Sequence, residues 1–172
     1  KGIERRIQKA AFYLKPVYRM EYKRLLKYEK YIFDCFDNKT IISIPDRDLI
    51  PHPEKEKIVI IPNGVDHDFF KPMDEKKRYD VVFTGNMGYA PNVNAAEFLA
   101  NDIMPRVWES FPKASLCLAG ASPHSRVKAL AGERTTVTGW VDDIRPYYAG
   151  SVIFIAPIRI GTGLQNKLLE AM

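Results

Sequence analysis

Cysteine is scarce: Cys35 and Cys117 are the whole complement of the 172-residue chain. Two are too few for a disulfide scaffold. Both stand in apolar stretches, which points to a reduced, cytoplasmic setting. Histidine is hardly more abundant. His52, His67 and His124 are scattered, without the Cys/His spacing of a structural zinc site. No apolar run approaches the roughly 20 residues of a membrane-spanning helix. The opening KGIERRIQKA is basic and amphipathic, unlike the apolar core of a signal peptide. No low-complexity tract interrupts the chain. Hydrophobic residues make up 46% and charged residues 27%, the balance of a globular protein rather than a disordered one. The length matches about one domain at roughly 150 residues each. The chain opens at Lys1 and stops at Met172, inside a helical pattern at either end. A piece of a larger protein is therefore expected.

The net charge of +5 is uneven. Residues 1–36 hold ten Lys and Arg against four Asp and Glu. Residues 37–78 hold eight against nine, and residues 79–172 eight against eight. The excess therefore belongs to the first segment. There Ile3, Ile7, Ala11, Leu14, Tyr18, Tyr22, Leu25, Ile32 and Phe36 recur at helical spacing. Pro16 is expected to split the segment into two helices, with Lys15 pushed out of the α region. Such a basic amphipathic stripe serves either as a helix packed on a sheet or as a peripheral contact with an anionic membrane. No nucleic-acid-binding motif accompanies it, so nucleic acid is not expected as a partner.

TIISI (40–44) and IVIIP (58–62) read as short buried strands, with a helical turn near 46–50 and a polar loop at 51–57. Asn63-Gly64 is a strong turn signal, and a domain boundary is expected here. Beyond it the pattern is regular. Strands are expected at 79–85, 114–120, 135–139 and 151–157. Helices are expected from Asn92 or Asn94 to about Ser110, with a break near Pro105, then at 123–131, from Asp142 to Tyr148, and from Gly163 to Met172. Apolar strands alternating with helices imply βαβ units and a doubly wound parallel sheet. Ligands of such sheets sit outside the carboxyl ends of the strands.

The loop after the fourth strand, PIRIGTGLQNKLLEAM from Pro157, is the richest. Gly161 and Gly163 allow close backbone approach, and a helix start offers unpaired N–H groups to an anion. Arg159 enters from one side. Gly163, Lys167 and Glu170 fall at i, i+4 and i+7, on one helix face. A cation and a carboxylate together suit a ligand with a phosphate and a diol, as in a nucleotide. An ordinary turn with a surface Lys–Glu pair gives the same spacing. TGNMGYAPN (84–92) is a second candidate loop, although its glycines do not follow the dinucleotide fingerprint. In it Asn92 is expected to cap a helix. In GWVDD (139–143), Trp140 and Val141 would suit a nucleobase, but a core Trp with Asp142 as cap is the simpler expectation. No Ser-His-Asp or Cys-His arrangement can be drawn.

IPNGVDHDFFKP (61–72) resembles the hinge segment of the family-four, or group 1, glycosyltransferases. TGNMGYAPNVNAAEFL, LCLAG and VTGWVDDIRPYYAGSVIFIAPIRIGTGLQNKLLEAM follow in that family's order. The look-alikes are bacterial sugar transferases of exopolysaccharide systems. The resemblance implies a GT-B fold, α/β, of two Rossmann-like domains around a cleft. Residues 1–61 would end the acceptor-side domain, and residues 62–172 would form part of the nucleotide-sugar-binding domain. It implies transfer of a sugar with retention of configuration, from a nucleotide-sugar donor to a polysaccharide or glycolipid acceptor, with no metal ion and no cofactor. Arg159 and Lys167 would face the diphosphate, and Glu170 the ribose. Val141 would meet the base through its backbone. Gly85, Gly88, Gly161, Thr162, Gly163 and Leu164 would line the donor. Thr162 stands where the family places its first motif glutamate.

Two other readings stay open from the sequence: a non-catalytic nucleotide- or phosphate-binding module, and a scaffold whose basic helices dock on a membrane. The sugar, base, acceptor and oligomeric state are not written in these motifs. Residues 1–172 alone are expected to bind a nucleoside diphosphate weakly and to transfer nothing. A strand edge left exposed and apolar is also expected.

Overall fold

The computed structural model describes residues 7, 8, 10–160 and 165–172. Two compact units divide between Asn63 and Gly64.

In the first unit, helix α1 (Lys15–Asp34) is followed by strand β1 (Thr40–Ile41), helix α2 (Ile44–Arg47) and strand β2 (Val59–Ile60). β1 and β2 pair in parallel, Thr40 opposite Val59. Pro16 sits in the first turn of α1, where its missing N–H is no loss. Lys15, expected outside the α region, is the first helical residue. β1 stops short of the expected 40–44 because Ser43 caps α2, its Oγ accepting from Asp46 N at 3.3 Å. Phe33 is the buried residue of α1; its ring stacks on His52 at 3.8 Å. Leu14, Leu25 and Phe36, expected in the apolar stripe, are exposed. Cys35 is exposed as well, against the expectation of apolar surroundings. No helix among the described residues is long and apolar enough to cross a membrane.

The second unit is a mixed α/β, Rossmann-like fold built on a parallel sheet. Its strands are β3 (Tyr79–Thr84), β4 (Leu116–Ala119), β5 (Thr135–Val137) and β6 (Ser151–Phe154), in the order β5-β4-β3-β6. Each pairing is parallel: Val81 opposes Leu116, Leu116 opposes Thr135, and Val81 opposes Ile153. β3 and β4 are apolar along nearly their whole length because both sheet faces are covered. Alternate side chains divide between those faces. Val81, Phe83, Leu116 and Leu118 join Met87, Leu99 and Met104 in one core. Val82, Cys117 and Ala119 pack with Tyr147 and Phe154 on the other. Burial pushes the Cys117 thiol up to about 12, so it behaves as a small hydrophobe. β6 lies at the end of the strand order, with Val152 and Ile153 more than half exposed.

The crossover from β3 to β4 runs through helix α3 (Ala90–Phe98), a π-helical turn (Leu99–Ile103) and helix α4 (Met104–Ser110). The break expected near Pro105 is this π turn. Proline supplies no N–H and crowds the carbonyl four residues back. The widened turn accommodates it, and Met104 N donates to Leu99 O instead. Helices α5 (Ser125–Lys128), α6 (Arg145–Ala149) and α7 (Asn166–Glu170) complete the described helices of the second unit.

Candidate functional site

The chain moves outward from β3 through β4 to β5, then returns to the other side of β3 with β6. That reversal is a topological switch point, where open α/β sheets bind ligands beyond their carboxyl ends. A cavity of about 360 Å³ opens there. Thr84 ends β3 and Gly85 follows it, Gly120 follows β4, Trp140 and Val141 follow β5, and Lys167 and Glu170 come from α7. A larger cavity, about 470 Å³, lies beside the π turn between Phe98 and Phe111. It takes no residue from a strand end.

Two glycines make the floor. Gly85 has φ +147° and Gly120 φ +139°, a region that L side chains rarely adopt. A Cβ on Gly120 would lie 2.0 Å from Gly85 O. A Cβ on Gly85 would lie 2.8 Å from Asn92 Nδ2 and 2.9 Å from Lys167 Nζ. Bare backbone here is what lets a polar pair stand directly above the sheet.

That pair is Asn92 and Lys167. Lys167 Nζ donates to Asn92 Oδ1 at 2.8 Å, and Asn92 Nδ2 donates to Asn86 O at 2.9 Å. Asn86 in turn folds its own loop, its Oδ1 accepting from Gly88 N at 2.9 Å. The ammonium also lies 4.7 Å above the Phe83 ring. Burial lowers the pKa of Lys167 to about 8, against the opposing pull of Glu170. A desolvated cation with one neutral partner is poised to receive an anion.

Glu170 is held separately. Tyr148 OH donates to Glu170 Oε2 at 2.8 Å and accepts from Thr84 Oγ1 at 2.7 Å. Burial first, then the carboxylate, holds the Tyr148 hydroxyl well above its ordinary pKa, so it stays protonated and donating. Tyr148→Phe should leave Glu170 and Thr84 each short of a partner. We expect a loss of about 1 kcal/mol in unfolding free energy, read from the urea midpoint. An unchanged midpoint would mean that water replaces the phenol without loss.

The residues singled out in the sequence fare differently. Lys167, Glu170, Gly85 and Val141 line the cavity. Gly88 instead meets the loop after β4, where a Cβ would lie 2.8 Å from Ser122 O. Arg159 is not brought to the cavity; its guanidinium stacks on Phe98 at 3.7 Å. Gly161, Thr162, Gly163 and Leu164 lie outside the described residues.

Three expectations are corrected. Asn92 does not cap a helix: it is buried inside α3, whose N-cap is Tyr89. Trp140 is not a core residue but 75% exposed at the cavity wall, its Nε1 donating to Asp142 Oδ1 at 3.3 Å. Asp142 therefore does not cap α6. The N-cap is Ile144, and Asp143, one residue before it, accepts from Arg145 N through its Oδ1 at 2.9 Å. The Arg145 side chain closes on the same carboxylate and holds it below the usual range. Asn92 stands in a candidate loop but is expected there as a cap, and nothing in the sequence marks Tyr148 as a site residue.

The family model described as glycosyl transferases group 1 matches residues 78–172. Comparison with curated proteins finds no significant match.

Proposed function

Because the chain belongs to the group 1 glycosyl transferases, we propose that its second unit binds a nucleotide-sugar donor in the cavity at the switch point. We further propose that the whole enzyme passes the sugar to a glycan or lipid-linked acceptor, as in polysaccharide assembly, with retention of configuration. Residues 62–172 then form most of the donor side, and residues 1–61 the end of the acceptor side. Glycosyl transfer in general follows from the family.

The observation that carries it is the meeting of Lys167 and Glu170 in one cavity over bare glycine backbone. In the transfer, the bond between sugar C1 and the β-phosphate oxygen breaks, and its electron pair stays with the diphosphate. The acceptor hydroxyl oxygen forms the new bond to C1, and its proton passes to the departing phosphate oxygen. Negative charge therefore grows on the departing diphosphate, and a preorganised cation there lowers the barrier. Lys167 is that cation. Glu170, fixed by Tyr148, accepts from the ribose hydroxyls. Val141 meets the base through its backbone. Arg159, stacked on Phe98, is given no contact with the donor.

Calorimetric titration of UDP, GDP and ADP tests this. One of the three should bind, and Glu170→Ala should weaken it about tenfold, the loss of one or two hydrogen bonds to a charged group. If none of the three binds, the donor-site reading fails while the fold remains.

A further inference from the structure

Helix α1 has two long sides. One carries Tyr18, Tyr22, Leu26 and Phe33, partly or fully buried in its own unit. On the other side Val17, Met20, Arg24, Lys27, Tyr28 and Tyr31 follow one another largely at spacings of three and four, and so share a face. All six are exposed, Tyr31 by 67% and Tyr28 by 58%. Just before the helix, Phe12 is 83% exposed and meets Tyr13 edge to face at 5.6 Å. Glu21 is exposed on the same side, four residues after Val17 and three before Arg24, where it is outnumbered by Arg24 and Lys27. Glu29 falls off this line, and Asp34 is turned to His52 at 3.1 Å.

We propose that this side of α1 docks on an anionic lipid surface, with the helix lying in the plane of the interface. The proposal does not depend on the sugar-transfer reading. Three kinds of side chain share the face, and a charged bilayer surface accommodates all three. Val17 and Met20 bury at the acyl boundary. The tyrosines and Phe12 have the amphipathic or apolar rings that settle at headgroup depth. Arg24 and Lys27 reach lipid phosphates while their stems stay apolar. A second copy of the helix is a poor occupant. Arg24 and Lys27 sit at the middle of the stripe and would face like charges across any self-pairing.

Co-sedimentation of the full chain tests the proposal. The vesicles contain equal parts phosphatidylglycerol and phosphatidylcholine, or phosphatidylcholine alone. The chain should pellet with the anionic vesicles, less so at high salt. Arg24→Ala with Lys27→Ala should lower partition roughly 30-fold, since each cation contributes about fivefold near an anionic leaflet. Tyr28→Ser should weaken binding at low and high salt alike. Both variants change only exposed helix positions, so thermal midpoints should match the parent. Three results would overturn the proposal. They are no pelleting with anionic vesicles, equal pelleting with neutral ones, and partition unaffected by both variants. Self-association without vesicle binding would also overturn it, in favour of a protein partner.

Discussion

Gly120→Ala is expected to cost at least about 3 kcal/mol of folding stability, with the thermal midpoint falling by more than about 10 °C. Two penalties coincide. At φ +139° an L residue is strained. The new methyl would also lie 2.0 Å from Gly85 O, a backbone atom. Gly85 cannot retreat, because its N–H is tied to Ala119 O at 3.0 Å. Either β3 and β4 shift apart at their ends or the loop refolds. Gly132→Ala is the control, for a Cβ there meets nothing within 4 Å. Thermal unfolding followed by circular dichroism reads both. A Gly120→Ala loss below about 1 kcal/mol would show that the two loops are less tightly joined than described.

Lys167→Met should lower affinity for the binding nucleoside diphosphate about 30- to 100-fold, and should leave the fold intact. Hydrogen bonds to charged groups carry this much when one partner is removed. Its pH dependence distinguishes Lys167 from a bystander. With its pKa lowered to about 8, the empty site loses its cation as pH rises through 8. Affinity should therefore fall between pH 7 and 9, by up to about tenfold per unit above 8. Lys167→Arg should bind with little pH dependence, because guanidinium stays charged. Stability of the empty protein should move the other way. Above pH 8 the unfolded lysine still holds a proton that the folded one has released, so unfolding becomes harder as pH rises from 8 towards 10.5. A flat wild-type affinity profile over this range would remove Lys167 from the diphosphate.

The parallel sheet was legible because its strands are continuous apolar runs punctuated by Gly and Pro, and such runs have few alternatives. The helix break near Pro105 was legible for a similar reason: a missing N–H is a local fact. Lys167 and Glu170 were legible as a pair, since helical spacing alone places them together. What holds them was not. Asn92 is 75 residues from Lys167, and Tyr148 is 22 from Glu170. A pattern read within a window of one helix cannot show which distant polar group a cation will meet. Asn92 thus passed for a cap, the commonest role of asparagine near a helix start. Trp140 failed differently. Apolarity argues for the interior, but an indole at the end of a short strand can also be left standing beside a cavity. Arg159 illustrates a third limit, since a ring close in space offered its guanidinium another partner than phosphate.

The chain's two tryptophans have ended up in contrasting surroundings. Trp108 donates to Ala114 O at 2.8 Å and lies beneath Arg134 at 3.9 Å, whereas Trp140 stands in solvent at the cavity wall. Their emission should separate into a blue component and a red one. A small aqueous quencher would silence the red one first. An occupant of the cavity would shield Trp140 while leaving Trp108 untouched, and unfolding would alter Trp108 above all. The protein carries, without any label, one fluorophore that reads occupancy and another that reads integrity.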